Sequence, residues 1–466
     1  MKRVGVLMVL VACTDTNTIE ISPILERPTD EDADALPELT QIRIAIDGTA
    51  LDSVFDRGED IVLDDVPLAP NLVLRLDGFI DGQGIAVGRT CPFSLADDNR
   101  PSPRLYFSQV VRTGLLEQPA GPRARGMAVT LADDTILMVG GEGATTIERY
   151  DPRAATVVEV DHDPFDGRVG AAVALFEDGR PAIIGGLVGG TPATTSLLIS
   201  PTGTVEEVPD TAVTLGRSNL TATSLADGQI LITGGRDAAG LASSKIVRMR
   251  TNASDIVTLE LVNSAALAHA RERHVVTPLG DGGASLLITG GNDNLGVIAQ
   301  SELYRPSTDE AIALESPKFD LKFPRTGHHA ALLPDESVVI VGGVDAAGNP
   351  VRTIERLSLI DGVITTSQQL PVGAPAIDFS LITLPDGSIL MAGGRERAGA
   401  PAQNAVFLIL FDAATDNVQL APRDELAIAR IAPQLAVLCD GTVLISGGTE
   451  QLDLLERFNP NVRPKL

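Results

Sequence analysis

The stretch "TILMVGGEG" (Thr135–Gly143) joins a run of apolar residues to a pair of glycines. The same pattern occurs seven times. The first glycines of the pairs are Gly140, Gly185, Gly234, Gly290, Gly342, Gly393 and Gly447, at spacings of 45, 49, 56, 52, 51 and 54 residues. A period near 50 predicts a set of similar β-sheets, because one such unit cannot bury its faces alone and needs neighbours to cover them.

Two further features recur at fixed distances before the glycine pairs. Seventeen residues before each first glycine stand Arg123, Arg168, Arg217, Arg273, Arg325, Ala376 and Arg430. Seven residues before it stand Asp133, Asp178, Asp227, Gly283, Asp335, Asp386 and Asp440. An aspartate followed by glycine favours a tight hairpin with positive φ. The apolar run is then a strand buried on both faces, and the glycines mark a close approach of two backbones.

A third motif lies downstream of four glycine pairs. It reads "IERYDP" (147–152), "SELYRP" (301–306), "IERLSL" (354–359) and "LERFNP" (455–460). Together with the glycine pairs and the turn aspartates, it resembles the kelch repeat. The resemblance implies an all-β fold in which residues 104–466 form a seven-bladed kelch-type β-propeller. The chain ends soon after the third strand of its last repeat, so we expect residues 112–118 to supply the missing fourth strand.

The N-terminus has the pattern of a targeting segment. "MKR" precedes the apolar run "VGVLMVLVA" (4–12), which is too short to span a bilayer. "LVAC" (10–13) resembles the lipobox of bacterial lipoproteins, which implies a signal peptide over residues 1–12 and acylation of Cys13. The alternative is an ordinary secretory signal. The expected location is extracytoplasmic and membrane-anchored, with the outer membrane slightly favoured.

Two segments separate this signal from the repeats. Residues 13–38 include "ERPTDEDADALPE" (26–38), which is acidic and contains two prolines, and are expected to form a solvated tether. Residues 39–103 contain short, partly alternating apolar runs such as "QIRIAI" and "NLVLRLDGFI". These runs predict a small antiparallel β-domain of sandwich type.

Composition excludes several classes of partner. Lys and Arg total 36 against 62 Asp and Glu, and a formal charge of −26 repels phosphate backbones, so nucleic acid is not expected as a partner. The chain has no Trp and three Tyr, which leaves few aromatic faces on which a sugar could stack.

The catalytic and metal-binding constellations of other propellers are incomplete in this sequence. Copper radical oxidases require a Cys beside a Tyr, whereas Tyr150 and Tyr304 share one repeat position and have no such Cys. His274 and His328, in adjacent repeats, could share a metal, but no third ligand is evident. "GGNDNLG" (290–296) resembles a calcium loop without its distal Glu. No cofactor or metal is therefore expected.

The repeated arginines have two interpretations. Six guanidinium groups near the axis of a ring would form a positive site for a carboxylate or an acidic peptide: Arg123, Arg168, Arg217, Arg273, Arg325 and Arg430. Alternatively, each pairs with a carboxylate of the repeats, such as Glu148, Glu302, Glu355 or Glu456. A residue repeated in every unit is typical of a structural role.

Cys91 and Cys439 are the cysteines that remain after Cys13. They form either a disulfide that joins the small domain to the last repeat or two separate buried thiols. The resulting hypothesis is a monomeric, non-enzymatic binding lipoprotein of the cell envelope that recognises a protein or peptide through loops that vary between repeats. The alternatives are a kelch-fold hydrolase, isomerase or oxidase with a small substrate, and a purely architectural protein.

Overall fold

The structure is a computed structural model, and it describes residues 10–14, 17–21, 23–30, 38–57, 68–96, 101–160, 167–200, 203–209, 216–252, 256–360, 362–412, 414–415, 417–449 and 453–460. These residues form an all-β protein, and no α-helix occurs among them. Accordingly, no helix in the described part is long and apolar enough to cross a membrane. Residues 1–9 of the predicted signal peptide lie outside the described residues.

The N-terminal part contains a hairpin and one larger sheet. The hairpin pairs β1 (Leu10–Thr14) with β2 (Asn17–Ile21). The larger sheet, called here the first sheet, has the order β3-β8-β7-β6-β4-β5. Its strands are β3 (Ile24–Glu26), β4 (Gln41–Ile46), β5 (Asp52–Asp56), β6 (Leu74–Ile80), β7 (Gln83–Thr90) and β8 (Arg104–Gln109).

The first sheet differs from the predicted sandwich of residues 39–103. Where the structure describes residues 39–103, their strands belong to one sheet. This sheet also contains one strand from the segment before residue 39 and one from the segment after residue 103. β3 comes from the predicted tether and pairs in parallel with β8, which comes from the predicted start of the repeats. Leu25 packs against the core of this sheet, and Leu105 and Phe107 are buried in it. Burial of these apolar side chains stabilises β3 and β8 in the first sheet, although the sequence placed them in the tether and in the repeats.

Seven further sheets, called repeat sheets 1 to 7, contain the glycine pairs. Sheet 1 is β10 (Met127–Thr130), β11 (Ile136–Val139), β12 (Ile147–Asp151) and β13 (Thr156–Val160). Sheet 2 is β14 (Val169–Leu175), β15 (Pro181–Val188), β17 (Thr195–Ile199) and β18 (Val205–Pro209), with β16 (Thr191–Pro192) paired to β15. Sheet 3 is β20 (Thr221–Ser224), β21 (Ile230–Thr233), β23 (Ile246–Thr251) and β24 (Val257–Leu261), beside a small pair of β19 (Arg217–Ser218) and β22 (Arg236–Asp237).

The remaining sheets repeat this antiparallel order. Sheet 4 is β25 (Val275–Pro278), β26 (Leu286–Thr289), β27 (Glu302–Arg305) and β28 (Glu310–Ala313). Sheet 5 is β29 (His329–Leu332), β30 (Val338–Val341), β31 (Thr353–Ser358) and β32 (Val363–Gln369). Sheet 6 is β33 (Ser380–Thr383), β34 (Ile389–Ala392), β35 (Val406–Asp412) and β36 (Asn417–Pro422). Sheet 7 is β37 (Gln434–Val437), β38 (Val443–Ser446), β39 (Asp453–Phe458) and β9 (Thr113–Ala120).

The last sheet takes its fourth strand from the other end of the chain. β9 pairs antiparallel with β39, with Phe458 opposite Thr113 and Arg457 opposite Gly114. The prediction that residues 112–118 complete the seventh repeat is confirmed. Residues 104–109, by contrast, belong to the first sheet.

The repeat sheets contact one another in a closed order. The first strand of each sheet contacts the first strand of the next sheet, and β37 of sheet 7 contacts β10 of sheet 1. The second strand of every sheet is buried along its apolar run, as a strand covered on both faces must be. The arrangement is compatible with a β-propeller.

The glycine pairs lie where neighbouring sheets meet. Gly290 has φ +55°, and a Cβ built on it would lie 2.5 Å from the carbonyl oxygen of Arg325 in the next sheet and 2.6 Å from Cε1 of His328. The N–H of Gly291 donates to the same carbonyl oxygen at 3.0 Å. Because the first glycine has no side chain, the two backbones approach closely enough for the second glycine to form this hydrogen bond.

We predict that Gly290→Ala destabilises the protein more than Gly348→Ala, which is the matched control. Gly348 also has a positive φ (+80°), but a Cβ there would meet nothing within 4 Å. The control should lose only about 1 kcal/mol of unfolding free energy, from backbone strain. Gly290→Ala should lose about 1 to 3 kcal/mol more, because its Cβ overpacks the contact between the sheets. Denaturant unfolding measures the difference. Equal losses would show that the close approach does not require glycine.

Candidate functional site

Five of the six predicted ligand-binding arginines are buried. Arg123, Arg168, Arg217, Arg325 and Arg430 are each at most 1% exposed. The Nη1 atoms of Arg325 and Arg430 donate to the carbonyl oxygens of Gly342 and Gly447, at 3.1 and 2.7 Å. These groups are not open to a ligand, so the positive ring expected from the sequence does not exist at these five positions.

The sixth position was assigned to the wrong residue. Arg271, not Arg273, is fully buried and donates to the carbonyl oxygen of Gly290 at 2.8 Å. Between the first two strands, sheet 4 has a connection of residues 279–285 where sheet 5 has residues 333–337. The two additional residues move the arginine from 17 to 19 positions before the glycine. For the same reason Asp281 takes the place of Gly283 in the turn and accepts the N–H of Ser285 at 3.1 Å.

Four of the buried arginines pair with the predicted carboxylates. The pairs are Arg123–Glu148, Arg271–Glu302, Arg325–Glu355 and Arg430–Glu456. The carboxylates also accept backbone N–H groups from the connection that leads into the same sheet, from Gly121, Ala268, Lys322 and Ala427 at 2.6–2.8 Å. Each ion pair therefore links three segments of its sheet, which is the structural alternative considered from the sequence.

This contact differs in the remaining three sheets. In sheets 2 and 3 the arginine bonds to a hydroxyl group: Arg168 to Thr195 at 3.0 Å and Arg217 to Ser243 at 3.2 Å. In sheet 6 both partners are apolar, with Ala376 in place of arginine and Phe407 in place of glutamate. Joint replacement is the expected pattern, because a buried charge without its partner is costly.

The two histidines considered for a metal site pack between sheets instead. A Cβ on Gly290 would meet Cε1 of His328, and Nε2 of His328 hydrogen-bonds the Thr289 hydroxyl at 3.0 Å. His274 bonds the Thr233 hydroxyl at 2.9 Å in the equivalent place. Burial lowers the pKa of His274 to about 3 and that of His328 well below its usual value. No group of three metal-ligating side chains occurs among the described residues, and His162 lies outside them.

The other candidate residues from the sequence are also internal. Tyr150 and Tyr304 are fully buried in the third strands of sheets 1 and 4. In the loop that resembles a calcium site, Oδ1 of Asp293 accepts the N–H groups of Leu295 and Gly296 at 2.6 and 2.8 Å. That oxygen therefore closes the loop.

A ring of residues two positions beyond the arginines forms the candidate site. We call these residues the collar: Arg125, Gly170, Asn219, Arg273, Gly327, Asp378 and Ala432. All seven have positive φ, between 45° and 67°. Several N–H groups donate to the collar carbonyl of the preceding sheet, for example Arg273 to Asn219 and Gly327 to Arg273, both at 3.0 Å. The collar is thus a shared backbone feature on which the side chains differ from sheet to sheet.

Most collar charges are paired. Arg125 contacts Glu142 at 2.6 Å and Asp378 at 3.3 Å, and Arg395 also contacts Asp378, at 2.8 Å. On another side of the collar, Glu272 accepts hydrogen bonds from Arg236 and from the amides of Asn219 and Asn292.

Glu272 is held in its ionised form. Burial acts to raise the pKa of this carboxyl, but the hydrogen bonds from Arg236, Asn219 and Asn292 outweigh burial and leave the pKa below its usual value.

Arg273 is different because its side chain is exposed, and no described carboxylate pairs with it. Its guanidinium extends over the neighbouring sheet, where a Cβ on Gly327 would lie 2.9 Å from Nη2. Of the six arginines considered as a ligand-binding ring, Arg273 is the one that is exposed.

Large apolar side chains are exposed around the same end of the repeat sheets. Leu241 (51% exposed) and Leu295 (96%) lie in loops between second and third strands, and Phe323 (42%) and Val372 (95%) lie in connections between sheets. In an antiparallel sheet these two kinds of connection share one end. We call this end the loop face. A cleft of about 730 Å³ beside Leu241, lined also by Thr194, Asp237 and Lys245, opens on it.

A buried arginine that the sequence analysis missed lies at the opposite end. Arg457 is 1% exposed, contacts Asp440 at 2.9 Å and lies over the ring of Tyr106 at 4.7 Å. Arg149 and Arg356 pair in the same way with the turn aspartates Asp133 and Asp335. The signal was the dipeptide Glu-Arg, which three of the quoted downstream motifs contain.

The cysteines join the first sheet to the repeats. Cys91 and Cys439 form a disulfide with a Cα–Cα distance of 4.9 Å, and Cys439 lies in the first turn of sheet 7. The backbone of Cys13 lies in β1, and its side chain is outside the described residues.

Comparisons with known proteins find similarity at the level of solved structures. No protein-family model matches the chain, and no curated protein matches it. A solved structure entitled "Structure of YjhT" is similar to it, with a TM-score of 0.49 and 15% sequence identity, over 66% of this chain and 99% of that one.

We predict that Arg325→Ala costs about 3 to 5 kcal/mol of unfolding free energy, because it leaves Glu355 buried without its cation. The double variant Arg325→Ala/Glu355→Phe, which copies Ala376 and Phe407 of sheet 6, should recover most of this loss. Denaturant unfolding of both variants provides the measurement. A double variant no more stable than the single one would contradict the explanation of sheet 6.

We also predict that stability falls as the pH drops below about 6.5, the usual histidine pKa. His274, His328 and His329 have lowered pKa values in the fold, about 3 for His274 and about 4 for His329. The unfolded chain therefore binds more protons below pH 6.5, and each histidine costs about 1.4 kcal/mol per pH unit down to its folded pKa.

The variant His328→Phe/Thr289→Val tests this prediction, because it copies Phe379 and Val341 at the next interface. Its loss of unfolding free energy between pH 6.5 and 5.5 should be smaller by about 1 kcal/mol than that of the native chain, because the unfolded histidine is already half protonated at pH 6.5. Burial raises the pKa of Glu26 and Glu456, which act in the opposite direction, but this contribution cancels in the comparison. Identical pH profiles would refute the assignment.

Proposed function

We propose that the chain is a kelch-type propeller whose seven blades are repeat sheets 1 to 7. Two observations support the proposal: the closed order of contacts between first strands, and a glycine pair at each junction. The described first sheet, attached through the disulfide, then takes the place of the sandwich-like domain that we expected.

We further propose that this propeller is a non-enzymatic binding platform of the bacterial cell envelope, attached by a lipid at Cys13, whose loop face binds a protein or peptide. The observation that carries the proposal is the exposure of Leu295 and Val372, at 96% and 95%. Such side chains gain free energy when a partner covers them, and they are placed on loops of a rigid scaffold.

The collar adds a charged contact to this surface. Arg273 is the collar cation without a described carboxylate partner, in a protein with a net charge of −26. A carboxylate of the partner would complete the pairing that Arg125 and Arg236 already have within the chain. The preferred partner is therefore a protein or peptide with an acidic group beside an apolar one.

The state of the carboxylates in and beside the collar favours binding over acid–base catalysis. Glu142, Glu272 and Asp378 each contact at least one arginine. A general acid at neutral pH requires a raised pKa, whereas the pKa of Glu272 is lowered.

We predict that the full chain with Cys13→Ser, once immobilised, captures the same envelope protein reproducibly and that Leu295→Asp/Val372→Asp reduces capture at least tenfold. Arg273→Glu should reduce it as well. The matched control is Ile256→Asp/Ile360→Asp. These residues are 59% and 72% exposed in turns at the opposite end of the sheets.

Quantitative mass spectrometry of the captured proteins is the readout. Capture that survives both loop-face variants, or that the control variant abolishes equally, would contradict the assignment of the binding surface.

A further inference from the structure

A disulfide and a set of hydrogen bonds attach the first sheet to one end of sheet 7. Cys439, bonded to Cys91, lies in the turn between β37 and β38. Asn459, directly after β39, is fully buried and donates to the carbonyl oxygens of Val87 and Ser108 at 2.9 and 3.2 Å. First turns and third connections share one end of an antiparallel sheet, so this attachment lies opposite the loop face.

The chain enters the first sheet close to the proposed lipid anchor. β3 begins at Ile24, eleven residues after Cys13. Eleven residues span at most about 40 Å when fully extended. A lipid on Cys13 therefore keeps the first sheet near the bilayer.

Residues directly after β3 are bonded to the repeat sheets. The Thr29 N–H donates to the carbonyl oxygen of Leu115 in β9 at 3.0 Å, and the Leu115 N–H donates to Oδ1 of Asp30 at 2.9 Å. Glu26 contacts the buried Arg457 at 3.6 Å. The segment between Cys13 and Ile24 is therefore the connection that can act as a tether. It is shorter than the tether of residues 13–38 predicted from the sequence.

We infer that the anchor side and the loop face lie on opposite sides of the molecule, so that the loop face points away from the anchoring membrane. This inference rests on the proposed lipid anchor and loop-face function. The expected partner therefore lies outside the anchoring membrane: it is a protein that is soluble or attached to a different structure. With a net charge of −26, the protein is not attracted to anionic headgroups, so electrostatic attraction does not reorient the loop face toward the bilayer.

The inference is tested with the lipidated full chain in vesicles that contain acceptor-labelled lipid. A donor dye is attached to Ile24→Cys at the entry to the first sheet, or to Val372→Cys or Leu295→Cys on the loop face. Ile24 is itself 43% exposed, so all three positions accept a label. Energy transfer to the bilayer should be several-fold greater from position 24 than from positions 295 and 372.

Two outcomes would overturn the inference. Equal or greater transfer from the loop face would mean that its apolar side chains rest on the bilayer. Failure of the lipidated chain to float with vesicles, relative to Cys13→Ser, would refute the anchor and the orientation with it. Partner capture remains independent of both outcomes, because it uses the Cys13→Ser form, so the loop-face function is judged separately.

Discussion

The repeat structure depends on one contact between neighbouring sheets. A Cβ on the first glycine of each pair would lie no more than 2.8 Å from a backbone carbonyl oxygen of the following sheet, and for Gly447 of sheet 7 that oxygen belongs to Arg123 of sheet 1. In six of the seven junctions the second glycine donates its N–H to this oxygen, at 2.6 to 3.1 Å. Glycine is required because any side chain would separate the two groups.

The arginines extend the same contact. The carbonyl of Arg325 accepts the N–H of Gly291 in sheet 4, while its guanidinium donates to the carbonyl of Gly342 in sheet 5. One residue thus connects the glycine pairs of two neighbouring sheets. A buried guanidinium needs a carboxylate or several acceptors, which explains why Glu355 is present and why sheet 6, with Ala376, has an apolar residue in the third strand.

The sequence predicted those features that one type of residue must supply. Glycine pairs and turn aspartates follow from conformational limits that few residues satisfy. The closing strand β9 follows from the repeat count, since the last repeat has three strands of its own. Arg273 was misassigned because a two-residue insertion in a turn is invisible to constant spacing. The boundaries at β3 and β8 were missed because strand pairing across about 80 residues leaves no periodic signal. The collar could not be predicted, since its residues share a backbone conformation but not a side chain.

This difference bears on where function resides. The repeated glycines, arginines and glutamates make hydrogen bonds within and between the repeat sheets, so a ligand would have to compete with contacts that hold the fold together. The collar and loop face carry side chains that change from sheet to sheet, and exchanging Leu295 or Arg273 disturbs none of the contacts at the glycine pairs. Binding specificity can therefore vary on this scaffold at little cost in stability, which is the physical reason to place the binding surface there.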